Sequence, residues 1–210
     1  MRSISIPKGG KIAVVGDIHC QEQQFDELVE LVNPRPEVLL VSVGDVYGYD
    51  DDSVAESIIR KMQKMEALMV QGNHEAKRIR RVQETGEDVT PELNWVMQQP
   101  LSLSFTFEET RLRITVVHAG VAPVHNWTDL VDNSDVYYVR NVNSEGKPAQ
   151  EGTCWHDVYD GRFGYIVSGH TTHSEAKFYE HSCNLDTLGT ALTAQIFDAK
   201  GQKPLISIRP

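Results

Sequence analysis

The chain has 210 residues, 40% of them hydrophobic and 24% charged, with a formal net charge of -10. That is enough apolar material for one compact domain over residues 1–210, and the acidic balance argues against stable nucleic-acid or membrane-surface binding. No apolar run approaches the roughly 18 residues that span a bilayer, whereas an anionic substrate stays compatible because bound cations reverse the local field of an acidic protein.

Met1 to Lys11 is polar and lacks the apolar core of a signal peptide. Lys11 to Gly16 reads as a buried strand, and Phe25, Leu28, Val29 and Val32 recur at the spacing of one helical face. Val38 to Val43 is a second continuous apolar strand. Ser53 with Glu56 three residues on forms a capping box for a helix whose apolar stripe is Val54, Ile58, Met62 and Met65. Ala67 to Val70 supplies a third strand. This alternation predicts a parallel sheet with right-handed crossovers, covered on both faces. Lys77, Arg78, Arg80 and Arg81 read as a solvated basic face on a following helix. Leu101, Leu103, Phe105 and Phe107 alternate with polar residues as in a half-buried strand. Leu112 to Val117, Tyr165 to Ser168, Leu192 to Phe197 and Leu205 to Ile208 are further strand candidates, and Asn141 to Thr153 reads as an exposed loop or lid. Cys20, Cys154 and Cys183 form no CxxC pair, which suits a reducing, cytoplasmic setting, with Cys20 a packed thiol.

The chemistry lies where these strands end. VVGDIH brings Asp17 and His19, VSVGDV brings Asp45, and MVQGNHE brings Asn73 and His74. VVHAG brings His118, and VSGHTTH brings His170 and His173. In an α/β sheet the carboxyl ends of parallel strands gather at one edge, so five such ends direct metal-ligating side chains into one crevice. Asp, His and Asn suit borderline-to-hard divalent ions, and a carboxylate such as Asp45 can bridge two of them. Two ions roughly 3.5–4 Å apart clamp a phosphoryl group and generate a bridging hydroxide for in-line attack. His74 is placed to protonate the leaving oxygen.

The ordered set GDIH, GD, GNHE, HAG and GHT resembles the calcineurin-like metallophosphoesterase superfamily over most of the chain. GNHE and HAG, with YYVRNV, WHDVYDG and NLDT, are most similar to the phosphoprotein-phosphatase branch, which includes Ser/Thr phosphatases and symmetrical diadenosine tetraphosphatases. The resemblance implies an α/β fold in a four-layer αββα sandwich with a pair of divalent ions, most commonly Mn, with Fe or Zn as alternatives. It implies that Asp17, His19 and Asp45 hold the first ion and that Asp45, Asn73, His118 and His170 hold the second. His74 would be the general acid. His173 is a further candidate ligand whose GHTTH spacing is one residue longer than the GHxH motif of other branches.

Two departures bear on the substrate. The branch reads GDxVDRG where this chain has GDVYGYD, so Gly48 and Tyr49 stand in place of the Asp that orients the catalytic histidine and the Arg that grips phosphate. Gln71 stands where the branch carries a second arginine. Arg140, in YYVRNV, is then the expected phosphate clamp, and the run Asp50 to Asp52 reads as a loop preceding the Ser53 cap, with a substitute partner for His74 as the alternative. GDVYGYD is itself similar to a form found in small phosphodiesterase-like members. The expected function is hydrolysis of phosphate monoesters, including phosphoserine or phosphothreonine, with a dinucleoside tetraphosphatase or phosphodiesterase as the alternative. A binding scaffold whose catalysis has lapsed is the non-enzyme reading.

Overall fold

The computed structural model describes residues 2–34, 37–48 and 52–210. In chain order its elements begin β1 (Arg2–Ile6), β2 (Lys11–Val15), α1 (Glu22–Val32), β3 (Val38–Ser42), α2 (Asp52–Lys64), β4 (Leu68–Met69), α3 (Asn73–Thr85) and α4 (Pro91–Met97). There follow β5 (Ser102–Phe107), β6 (Arg113–Val117), α5 (Asp129–Asp132) and a 3-10 turn at Ser134–Tyr137. A cap region holds β7 (Asn141–Val142), β8 (Pro148–Ala149), β9 (Thr153–Cys154) and α6 (Trp155–Val158). The chain closes with β10 (Tyr165–Ser168), β11 (Lys177–Phe178), β12 (Ser182–Asn184), β13 (Leu192–Asp198) and β14 (Gly201–Ile208).

Two large sheets form the centre. One is five-stranded, in the order β14-β13-β2-β3-β4, and the other six-stranded, β1-β5-β6-β10-β12-β11. β2, β3 and β4 are parallel, as the alternation of strand and helix predicted. Strand pleating explains the layering, because alternate residues of one strand face opposite ways. Ala13 and Val15 of β2 pack under the helices with Phe25, Leu28 and Ile58, while Ile12 and Val14 face Phe105, Val116 and Val167 of the other sheet. A third apolar cluster, including Val117, Trp155, Phe163 and Ile166, lies on the outer side of the six-stranded sheet. Three apolar interfaces imply four layers, the αββα arrangement.

Four local expectations change. β5 is not half-buried: Ser102 and Ser104 are as buried as Leu103 and Phe105, and Ser102 Oγ donates to the Leu130 carbonyl of α5. Helix α2 begins at Asp52, so Ser53 lies inside its first turn and not at the cap. Arg78 is no solvated residue; its Nε sits 2.7 Å from Asp52 and its Nη1 3.0 Å from Glu87, tying the start of α2 to the end of α3. The stretch from Asn141 to Thr153 carries a small three-stranded sheet, β8-β7-β9. β1 went unread because its polar alternation lacks an apolar run; it pairs in parallel with β5. Cys20 packs against the helix-side core and accepts the Gly48 N–H on Sγ at 3.2 Å. No helix among the described residues is long and apolar enough to cross a membrane.

Candidate metal centre

β2 and β3 run side by side, so the loops that follow them emerge together. Asp17 and Asp45 sit in those loops, each only 2% exposed. The N–H groups of Ile18 and His19 both donate to the Asp45 carbonyl, at 3.0 and 2.8 Å. β10 delivers His170, whose N–H donates to Asp17 Oδ2 at 3.0 Å. The ligand loops are therefore stitched to one another by backbone hydrogen bonds before any ion is considered.

The backbone is strained at these places. His19 (φ 41°), Asp45 (φ 51°) and His170 (φ 69°) all lie in the left-handed region, uncommon for residues other than glycine. Such conformations persist when surrounding contacts over-determine them, and they concentrate at functional sites. Gly72 and Gly169 allow the closest approaches. A Cβ on Gly169 would run into Asp17 Oδ1, and one on Gly72 into Asp45 Oδ1.

The side chains converge on Asp45. Its Oδ2 lies 3.6 Å from His19 Nε2 and 3.4 Å from His118 Nε2. His19 Nε2 is also 3.8 Å from Asp17 Oδ2. Asn73 Oδ1, at the first turn of α3, is 2.8 Å from His118 Nε2 and 2.6 Å from His170 Nδ1. Two groups of donor atoms, each within 4.8 Å of one another, share Asp45: His19–Asp45–His74 and Asp45–His118–His170. Asp17, His19, Asp45, Asn73, His118 and His170 thus stand together. His173 belongs to neither group; its backbone N–H donates to the Asp186 carbonyl, and its electrostatic neighbour is His156.

Tautomers follow from the partners. The Val43 carbonyl, 2.9 Å from His118 Nδ1, can only accept, so the proton sits on Nδ1 and Nε2 turns its lone pair toward Asp45 and Asn73. Burial, reinforced by neighbouring histidines, holds His19 at about 4 and His170 at about 3, so both are neutral at pH 7. Burial also holds His118 down at about 4. The carboxyls move the other way: burial raises Asp17, with Asp186 and Asp45 adding to it, and burial raises Asp45 as well. Every ionisable donor is thus driven toward its uncharged form, the signature of a buried donor set crowded without a countercharge. Neutral imidazoles, buried carboxylates and an amide oxygen facing one another fit divalent cations.

His74 is buried, 8% exposed, with its ring centroid 4.6 Å from that of His19. Gly48 stands at the sequence position where the resemblance implies a carboxylate, and its carbonyl lies 3.4 Å from His74 Nδ1. That carbonyl can only accept, which assigns the proton to Nδ1. Burial lowers the affinity of this imidazole for a proton, and the Gly48 carbonyl partly offsets this. Tyr49, Asp50 and Asp51 lie outside the described residues. Asp52 pairs with Arg78 and so is engaged elsewhere.

Gln71 does not face an anion. Its amide donates to the carbonyls of Val96, Met97 and Gln99 at 3.1, 3.3 and 2.9 Å, closing the C-terminus of α4, and it accepts from Tyr137 Oη at 2.8 Å. Arg140 faces the site: its Nη2 donates to the His170 carbonyl at 3.2 Å, and its charge disfavours protonation of His118 and His170. It lines an open cavity of about 710 Å³ with His170, Asp135, Tyr138 and Gln150.

Sequence reasoning gave no role to Glu75. The residue is fully buried and accepts four backbone N–H groups, from Gly72, Asp45, Val46 and Tyr47, at 2.7 to 3.2 Å. Its position three residues after Gly72, where a carboxylate reaches back to the helix start, was the available signal. Asp186, in NLDT, was also without a role. It accepts from Thr172 Oγ1 at 2.8 Å and disfavours ionisation of Asp17 and Asp45.

A symmetrical bis(5'-nucleosyl)-tetraphosphatase of Wigglesworthia glossinidia brevipalpis is 25% identical over 139 residues, 58% of this chain. The chain spans about half of that relative, 48% of its length. A solved structure of a protein provisionally assigned as a diadenosine tetraphosphatase shares the fold at a TM-score of 0.80 and 24% identity, with 99% of this chain and 97% of that one covered. A protein serine/threonine phosphatase from Saccharomyces cerevisiae follows at 0.57 and 14% identity, covering 99% and 83%. The family model for calcineurin-like phosphoesterases matches residues 10–174, most of the chain. The strand-end ligand motifs and the two-sheet core that gathers them are those of a calcineurin-like phosphoesterase, and the chain belongs to that family.

Proposed function

We propose that this chain is a binuclear metal-dependent hydrolase that cleaves a phosphoric anhydride of a nucleotide, a symmetrical dinucleoside tetraphosphate being the leading substrate. The observation that carries the two-ion reading is Asp45, the one carboxylate common to both groups of converging donors. Asp17, His19 and Asp45 would hold one ion, and Asp45, Asn73, His118 and His170 the other; Mn suits this mixed oxygen and nitrogen set, with Fe or Zn as alternatives. When bound, such a pair supplies Lewis acidity and lowers the pKa of water into the neutral range. Arg140 orients the anion from the cavity side. His74, neutral at rest, takes up a proton on Nε2 as water attacks and delivers it to the leaving oxygen.

The nucleotide is favoured by two features. A curated relative is a tetraphosphatase, and Gln71 is committed to α4, so among the described residues lining the cavity Arg140 alone offers a guanidinium, a weak grip for a compact phosphomonoester. A phosphoserine or phosphothreonine monoester is the second reading, carried by GNHE, HAG and Arg140. Incubation with Mn separates them: ADP released from diadenosine tetraphosphate supports the first, phosphate from a phosphopeptide the second. Turnover of bis-p-nitrophenyl phosphate alone would assign a phosphodiesterase. Thiols without a disulfide and the acidic surface fit a cytoplasmic protein.

A further inference from the structure

The cavity beside the proposed metal centre is built with two chemically different sides. The 3-10 turn at Ser134–Tyr137 is capped by Asn133, whose side chain accepts the Asp135 N–H at 2.9 Å. Tyr138 N–H closes the turn on the Asp135 carbonyl at 2.8 Å. Three residues per turn bring positions i and i+3 into line, so Asp135 and Tyr138 share one face. Both line the cavity, as does Val139, while Val136 between them is buried. Tyr138 is 50% exposed, and its ring centroid lies 6.2 Å from that of His170.

Asp135 is backed from inside the protein. His125 is 3% exposed, and its Nδ1 accepts the Ala122 N–H at 3.1 Å, which puts its proton on Nε2. That Nε2 makes no hydrogen bond and lies 3.7 Å from Asp135 Oδ2. Asp135 and Arg140 line the same hollow, yet no ion pair joins them among the described residues. Each is left to a different part of a ligand. A guanidinium suits phosphate; a carboxylate repels it and suits hydroxyl or amino donors; an exposed phenol ring suits a flat base.

Resting on the nucleotide reading above, we propose that Asp135 and Tyr138 are the residues that select a nucleoside-bearing substrate. The base stacks on the Tyr138 ring, and the Asp135 carboxylate, steadied by His125, accepts from a nucleoside hydroxyl or amino group. Arg140 meanwhile holds the phosphate chain. The test is calorimetric, with Mn present, and needs no turnover: binding of ADP is compared with binding of inorganic pyrophosphate. Wild type should prefer ADP by about 10-fold or more, and Tyr138→Ala and Asp135→Ala should each erase about 5- to 50-fold of that ratio. Tyr138→Phe should retain the preference. Equal binding of ADP and pyrophosphate by the wild type, or an unchanged ratio in both alanine variants, would overturn the proposal. An ADP preference lost in the variants, with no hydrolysis of diadenosine tetraphosphate, would sustain this assignment and defeat the catalytic reading instead.

Discussion

Glu75 Oε2 accepts the backbone N–H of Asp45 at 2.7 Å, across 30 residues of sequence. The same carboxylate takes the N–H groups of Val46 and Tyr47 on Oε1 and of Gly72 on Oε2. One buried side chain thus holds the left-handed turn carrying Asp45 against the start of the helix carrying Asn73 and His74. Glu75→Gln supplies one amide NH₂ group where two oxygens now accept, so backbone donors lose their partner. We expect a loss of roughly 1–3 kcal/mol in stability, read from denaturant midpoints, with weaker metal retention. A variant as stable and metal-loaded as wild type would contradict this role.

Metal dependence follows from the donor set. Exhaustive chelation should abolish phosphoesterase activity and Mn should restore it most fully. His118→Ala removes a donor whose tautomer is set by Val43. Its bound metal, measured by elemental analysis, should fall while far-UV circular dichroism persists. Full activity in verified metal-free protein would refute the two-ion reading.

His74→Asn should reduce kcat by about 10²- to 10⁴-fold with metal content intact. Unchanged turnover in the variant would remove proton transfer from His74.

Gly169→Ala is a small change with a large expected effect. The added methyl would meet Asp17 Oδ1 and the Val43 side chain. Metal affinity should drop at least tenfold. Gly189→Ala is the comparison, since nothing lies within 4 Å of a Cβ there; its left-handed backbone (φ 82°) should cost some stability and leave metal binding alone.

Acid stability should report on His156. Its ring stacks between Trp155 and Tyr179, with centroids at 3.8 and 4.2 Å, and burial holds it down at about 3 against an ordinary 6.5. Here the unfolded chain binds the proton more readily than the folded one. Stability is therefore full above about pH 6.5, falls as pH drops below that value, and stops falling near pH 3. His156→Gln should flatten the profile between pH 6.5 and 4 by on the order of 1–3 kcal/mol. A profile with the wild-type slope would show that other groups control acid unfolding.

The strand–helix alternation and the strand-end candidate donors were legible in one dimension because both are local. An apolar run, a glycine and a ligand can be read within six residues, as in VVGDIH or VSVGDV, and sheet topology forces such ends to one edge. The burial of the second face of β5 was not legible, since Ser102 finds its partner at Leu130, in a segment that follows in the chain. The same holds for Arg78, whose two carboxylate partners lie on either side of it in sequence.

By itself, then, the order of residues determined the family, the parallel half of the core and which side chains could ligate metal, because periodicity and motif spacing are properties of the chain. Tertiary structure alone decided that Glu75 clamps Asp45, that the Gly48 carbonyl backs His74, that Gln71 closes α4 and that Asp135 and Tyr138 line one hollow with Arg140. Each of these is a contact between groups distant in sequence or a direction in space, and the direction of a side chain is fixed only when the layers around it close.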